Sequence, residues 1–78
     1  MAGYKEPKEK KGNYYDLRIK AMKLADGYIE TGKFTTEQIS FFVLKETGIS
    51  KTFTIKYLND CFDNNLCMKD KETGALFL

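Results

Sequence analysis

Histidine is absent from this 78-residue chain, and only two cysteines occur, Cys61 and Cys67. Zinc sites are commonly built from four Cys or His ligands at short spacings, so no metal centre is expected. Without histidine there is no Ser/His/Asp or Cys/His set for nucleophilic catalysis. A glycine-rich phosphate loop is also lacking, as is a pair of carboxylates that so small a chain could shield from water. No enzyme is expected, and no cofactor or small-molecule substrate is implied. Long apolar runs are missing too: the longest, from Ile39 to Leu44, is interrupted by Ser40, whereas a bilayer span takes roughly 20 residues. The first twelve residues carry Lys5, Lys8, Lys10 and Lys11 with no apolar segment after them, so no secretory signal is expected. Together these absences lead to the expectation of a cytoplasmic protein without a membrane partner. In that compartment the two thiols are expected to be buried and reduced, although a disulfide between them could be drawn.

Excess charge of one sign is scarce as well. Thirteen basic residues face eleven acidic ones, for a net charge of +2, which tempers any claim for a polyanionic partner without excluding it. What the chain has is 42% hydrophobic residues and a mean hydropathy of −0.47, enough for one small globular domain. A chain of this length buries only about 60% of its unfolded surface, so the core must be simple.

Residues 1–12 are mostly Lys, Glu and Gly and read as a flexible basic tail, leaving a domain over 13–78. Asn13 offers a helix N-cap, with Asp16 in the first turn where the helix dipole favours a negative charge. Leu17, Ala21, Leu24, Ala25 and Tyr28 then form one stripe of a first helix, which Gly32 ends. Thr35 opens a second helix through a capping box with Gln38, and Gly48 limits it. Its inward side is expected to be Ile39, Phe42 and Val43, widened by Phe41 and Leu44, in a mostly buried helix. Ser50 caps a third helix from Lys51 to about Asn64, closed by Asn65 in the left-handed conformation. Two inward faces fit it: Ile55, Leu58 and Phe62, or Thr54, Tyr57, Leu58 and Cys61. The first is preferred because it buries more carbon. Leu66 to Leu78 reads as two short strands around a turn containing Gly74.

The stretch from Thr35 to Leu78, somewhat over half the chain, resembles the winged helix-turn-helix pattern of small transcriptional regulators of archaea, viruses and plasmids. The resemblance rests on Glu46-Thr47-Gly48-Ile49-Ser50-Lys51-Thr52, which looks like the tight turn that opens a recognition helix, and on Leu66 followed by a charged hairpin. In that turn Gly allows the backbone reversal, Ile plugs the core and Ser caps the next helix. The implied fold is α+β and mostly α, three helices with a C-terminal hairpin wing, and Lys33-Phe34 as a first strand pairing with the wing. The implied function is binding of double-stranded DNA as a transcriptional regulator, with the third helix in the major groove. With Ile55, Leu58 and Phe62 inward, Phe53, Lys56, Tyr57 and Asp60 face outward, and Ser50, Lys51, Thr52 and Thr54 stand near the helix start. The expected DNA contacts are Ser50, Lys51, Thr52, Phe53, Thr54, Lys56 and Tyr57 on the helix, with Lys69, Lys71 and Thr73 on the wing. A homodimer is expected, because a two-fold operator suits a two-fold protein. Its surface would be either the outward rings of Phe53 and Tyr57 or the helix 1 residues Tyr14, Tyr15, Ile19 and Met22. The alternative function is a winged-helix module that holds another protein through the third-helix face, with RNA binding a weaker third reading.

Overall fold

The computed structural model describes the backbone over residues 2–78 and side chains from residue 15 onward. Three helices, α1 (Ala2–Thr31), α2 (Thr36–Thr47) and α3 (Lys51–Asp63), precede a C-terminal antiparallel hairpin of β1 (Met68–Lys69) and β2 (Leu76–Phe77). This is the α+β, mostly helical layout of a winged helix-turn-helix. Among the described residues no helix is long and apolar enough to cross a membrane. α1 runs back to Ala2, so the helix does not start at Asn13 as its capping residue suggested. The side chains of the basic segment over 1–12 lie outside the described residues.

Local signals end the remaining elements where the sequence places them. Gly32 adopts φ 69° and its N–H donates to the Ile29 carbonyl, which closes α1. At Thr35 the hydroxyl accepts from Gln38 N–H while Gln38 Oε1 accepts from Thr35 N–H, a reciprocal pair that satisfies two orphan donors of α2. Gly48, at φ 81°, caps the other end. The Ser50 hydroxyl accepts from Phe53 N–H to start α3, and Asn65 takes the left-handed conformation just beyond its end.

The core is assembled from small and medium side chains: Ala21, Ala25 and Ile29 of α1, Ile39 and Val43 of α2, Leu58 and Cys61 of α3, with Ile49, Cys67 and Leu76. Small residues on α1 let the helices approach closely, and each larger aliphatic group removed from water stabilises the fold by about 1.5–3 kcal/mol. Ile49 plugs the turn between α2 and α3 as expected, 6% exposed. Both cysteines are buried and free. Tyr28, Phe34 and Phe42 form a second layer, with ring centroids 5.2–5.5 Å apart and two of the pairs edge to face.

Three packing expectations are corrected. Phe41 is 47% exposed, with the Lys45 ammonium 5.6 Å from its ring, and α2 buries Ser40 instead. The Ser40 hydroxyl donates to the Glu37 carbonyl, which lets a polar residue sit inside. α3 takes the other of its two registers: Thr54, Leu58 and Cys61 are buried, Tyr57 and Ile55 half-buried, and Phe62 is 42% exposed. The strand paired with the wing falls one residue later than Lys33-Phe34, as a bridge between Thr35 and Ala75 supported by Leu76 N–H donating to the Phe34 carbonyl.

Candidate nucleic-acid interface

The register of α3 decides which of its side chains a ligand can meet. With Thr54, Leu58 and Cys61 inward, the outward stripe is Thr52, Lys56, Asn59 and Asp63, all exposed and spaced at helical intervals. Asn59 was absent from the sequence-based set. Its amide, three residues after Lys56, presents one donor and one acceptor edge to the outside, the pairing that adenine accepts in a major groove. Only the inward register puts Asn59 there, so choosing the more carbon-rich face hid it. Ile55, half-buried beside this stripe, adds an apolar edge.

Of the expected helix residues, Ser50 is exposed at the start of α3 with its hydroxyl already accepting from Phe53 N–H. Lys51 is paired: its ammonium lies 2.9 Å from Glu37 Oε2 in the first turn of α2. Both groups are substantially exposed, so solvent screens the pair and it contributes little to stability. Thr54 is 1% exposed and out of a ligand's reach, and its Oγ1 has no hydrogen-bond partner.

Phe53 and Tyr57 do not form an open aromatic patch, because they face α1. The Arg18 guanidinium sits 4.9 Å from the Phe53 ring centroid. The Tyr57 hydroxyl donates to Asp26 Oδ1 at 2.8 Å, and burial, followed by that hydrogen bond, pushes its pKa well above the ordinary tyrosine range. A shallow groove of about 230 Å³ lies along this flank between Arg18, Phe53, Lys56 and Asp60.

On the wing, Lys69 and Lys71 are exposed. The Lys69 ammonium stands 5.2 Å from the Phe62 ring, which ties the wing to the C-terminal half of α3. Thr73 is committed to the turn: its hydroxyl donates to Asp70 Oδ2 and accepts from Ala75 N–H. The Thr73 N–H also donates to Asp70, and this bond, then the one from the hydroxyl, holds the Asp70 carboxyl below its usual range. The turn is thereby stiffened, with Lys71 and Glu72 on its outside.

The arrangement is a mixed-polarity helix face followed by a hairpin whose turn carries Lys71 and Glu72 side by side. Ser50, Thr52, Lys56, Lys69 and Lys71 are each exposed and Lys51 is half-exposed, whereas Thr54, Phe53, Tyr57 and Thr73 are held inside the fold or within the turn. No protein-family model, curated protein or solved structure matches this chain.

Proposed function

We propose that this protein binds double-stranded DNA as a small transcriptional regulator, with α3 in the major groove and the hairpin wing against the sugar-phosphate backbone. The observation that carries the reading is the outward stripe of Thr52, Lys56 and Asn59 on a helix whose N-terminus is capped by Ser50. In that pose Lys56 meets phosphate or guanine, Asn59 takes an adenine edge, and Ile55 touches a thymine methyl. Lys69 and Lys71 supply charge to the backbone without reading sequence. The acids Asp60 and Asp63 fall in the last turns of α3, the end that a groove-entering helix points away from the bases.

Fluorescence anisotropy with a labelled duplex of about 30 base pairs over a salt series tests this. The expected result is a log affinity falling linearly with log salt, with a slope shallower by about one for Lys56→Ala. Asn59→Ala is expected to weaken binding to the preferred sequence and leave the salt slope unchanged. Absence of binding at low salt overturns the proposal.

A second reading, docking of another protein, draws on Phe62, Leu66 and Met68, which are 42%, 64% and 53% exposed where α3 leads into β1. Exposed apolar groups concentrated in one region mark interaction surfaces. Phe62→Ser with Leu66→Ser separates the two readings, since it spares the Thr52-Lys56-Asn59 stripe.

A further inference from the structure

The outer face of α1 carries an apolar stripe that the domain leaves uncovered. Tyr15 is 62% exposed, Ile19 38% exposed and Met22 half-buried, at i, i+4 and i+7, so they stand one above another on the helix. Together with Arg18 and Phe53 they line a groove of about 270 Å³. Beside the stripe, on the flank away from the core, stand Asp16 and Lys23, both exposed and seven residues apart, hence two turns apart on the same side. Among the described residues neither has an ion-pair partner.

We infer that this face is the homodimer interface, formed by α1 packing antiparallel against α1 of a second copy about a two-fold axis at Ile19. Charge and shape both select that occupant and that direction. A two-fold contact must be self-complementary, each residue meeting its counterpart's partner. Tyr15 and Met22 lie symmetrically about a point between residues 18 and 19, and Asp16 and Lys23 about a point between 19 and 20. Both centres fall within half a residue of Ile19, less than about 1 Å along a helix. One antiparallel register therefore sets Ile19 on Ile19, Tyr15 on Met22 and, twice over, Asp16 against Lys23. A parallel pairing would stack Asp16 on Asp16 and Lys23 on Lys23, which is repulsive. The Tyr15 ring of each copy has the groove beside the other's Ile19 and Met22 to fill. The groove on this face takes Phe53 from α3 and none of Thr52, Lys56 and Asn59.

Sedimentation velocity of the full chain without DNA, over a concentration series at low salt, tests the register through charge reversal. Wild type is expected to be a weak dimer, because the contact is small. Asp16→Lys and Lys23→Asp are each expected to weaken dimerisation about tenfold, since two attractions become two repulsions. The double exchange D16K with K23D is expected to restore the wild-type affinity. Circular dichroism confirms that each variant is folded, and the exposure of both sites makes the fold tolerant of them. A wild type that stays monomeric up to about 1 mM overturns the inference, as does a dimer indifferent to the exchanges or unrescued by the double variant. Since no DNA is present, none of these outcomes bears on the DNA-binding proposal, which stands or falls on the anisotropy experiment.

Discussion

The two flanks of α3 treat similar side chains in opposite ways. On the α1 flank, Phe53 lies under the Arg18 guanidinium and Tyr57 is held by Asp26, so both rings are partly buried and oriented. On the wing flank, Phe62 is 42% exposed beneath the Lys69 ammonium, and Leu66 is more exposed still. Aromatic residues on one short helix are thus anchored on one side and open on the other. An aromatic packs where its ring finds carbon and its polar tip finds a partner, and only the α1 flank supplies both. The anchored flank fixes the helix, and the open flank leaves Phe62 and Leu66 at the surface.

The sharpest test of this contrast is truncation on either side of it. Leu58, 1% exposed between the flanks, is expected to cost about 2–5 kcal/mol as Leu58→Ala, from lost transfer energy and the cavity left behind. In a domain this small that removes much of the total stability. Phe62→Ala on the open flank should cost under about 1 kcal/mol, as surface changes usually do. Equal losses in urea unfolding would erase the distinction between the flanks.

Thr54 gives an effect of the opposite sign. Its hydroxyl is buried without a partner, and a valine of nearly the same shape removes that polar group. Thr54→Val is expected to raise stability by about 1 kcal/mol, read as a higher urea midpoint at unchanged m-value. A loss of stability would mean that the hydroxyl is satisfied and that the position is not the apolar one the packing indicates.

The smallest effect concerns the anchor itself. Tyr57→Phe deletes the bond to Asp26 and is expected to cost up to about 1 kcal/mol at neutral pH. Burial and then the Asp26 bond raise the Tyr57 pKa in the folded state, so folding favours the protonated phenol. Its contribution is complete below the ordinary tyrosine pKa of about 10 and is lost as pH rises above it. Tyr28 is raised as well, by burial first and then by Glu46. Tyr57→Phe should therefore flatten, without abolishing, the fall in stability above pH 10. An unchanged alkaline profile would place the Tyr57 hydroxyl outside the anchor.

Much of this fold was legible in order because helix ends are local events. The Thr35–Gln38 box, the Ser50 cap and the left-handed positions at Gly32, Gly48 and Asn65 each involve neighbours within a few residues. No distant contact is needed to satisfy an orphan N–H or to reverse the chain. The start of α1 was less legible, since Asn13 had the chemistry of a cap and the helix continues through it. The candidate site was legible only at its edges, in Ser50, Lys51, Thr52, Lys56 and the wing lysines. The outward face differs from the expected one in that Phe53 and Tyr57 are half-buried against α1, and Asn59 is exposed.

By itself, then, the sequence determined where α1 ends, where α2, α3 and the wing lie, and the class of fold they build, because caps, turns and periodicity act over a few residues. The tertiary structure alone decided which face of α3 turns inward. Two stripes of that helix were each plausible in isolation, and the carbon count along the helix favoured the wrong one. Small groups at Ala21, Ala25 and Ser40 draw the helices close, leaving room for Thr54 and Cys61 rather than for the Phe62 ring. Asp26 and Arg18, some thirty residues earlier in the chain, then supply the partners that hold Tyr57 and Phe53 at the edge. A choice that depends on partners so distant in sequence is made only when the helices pack.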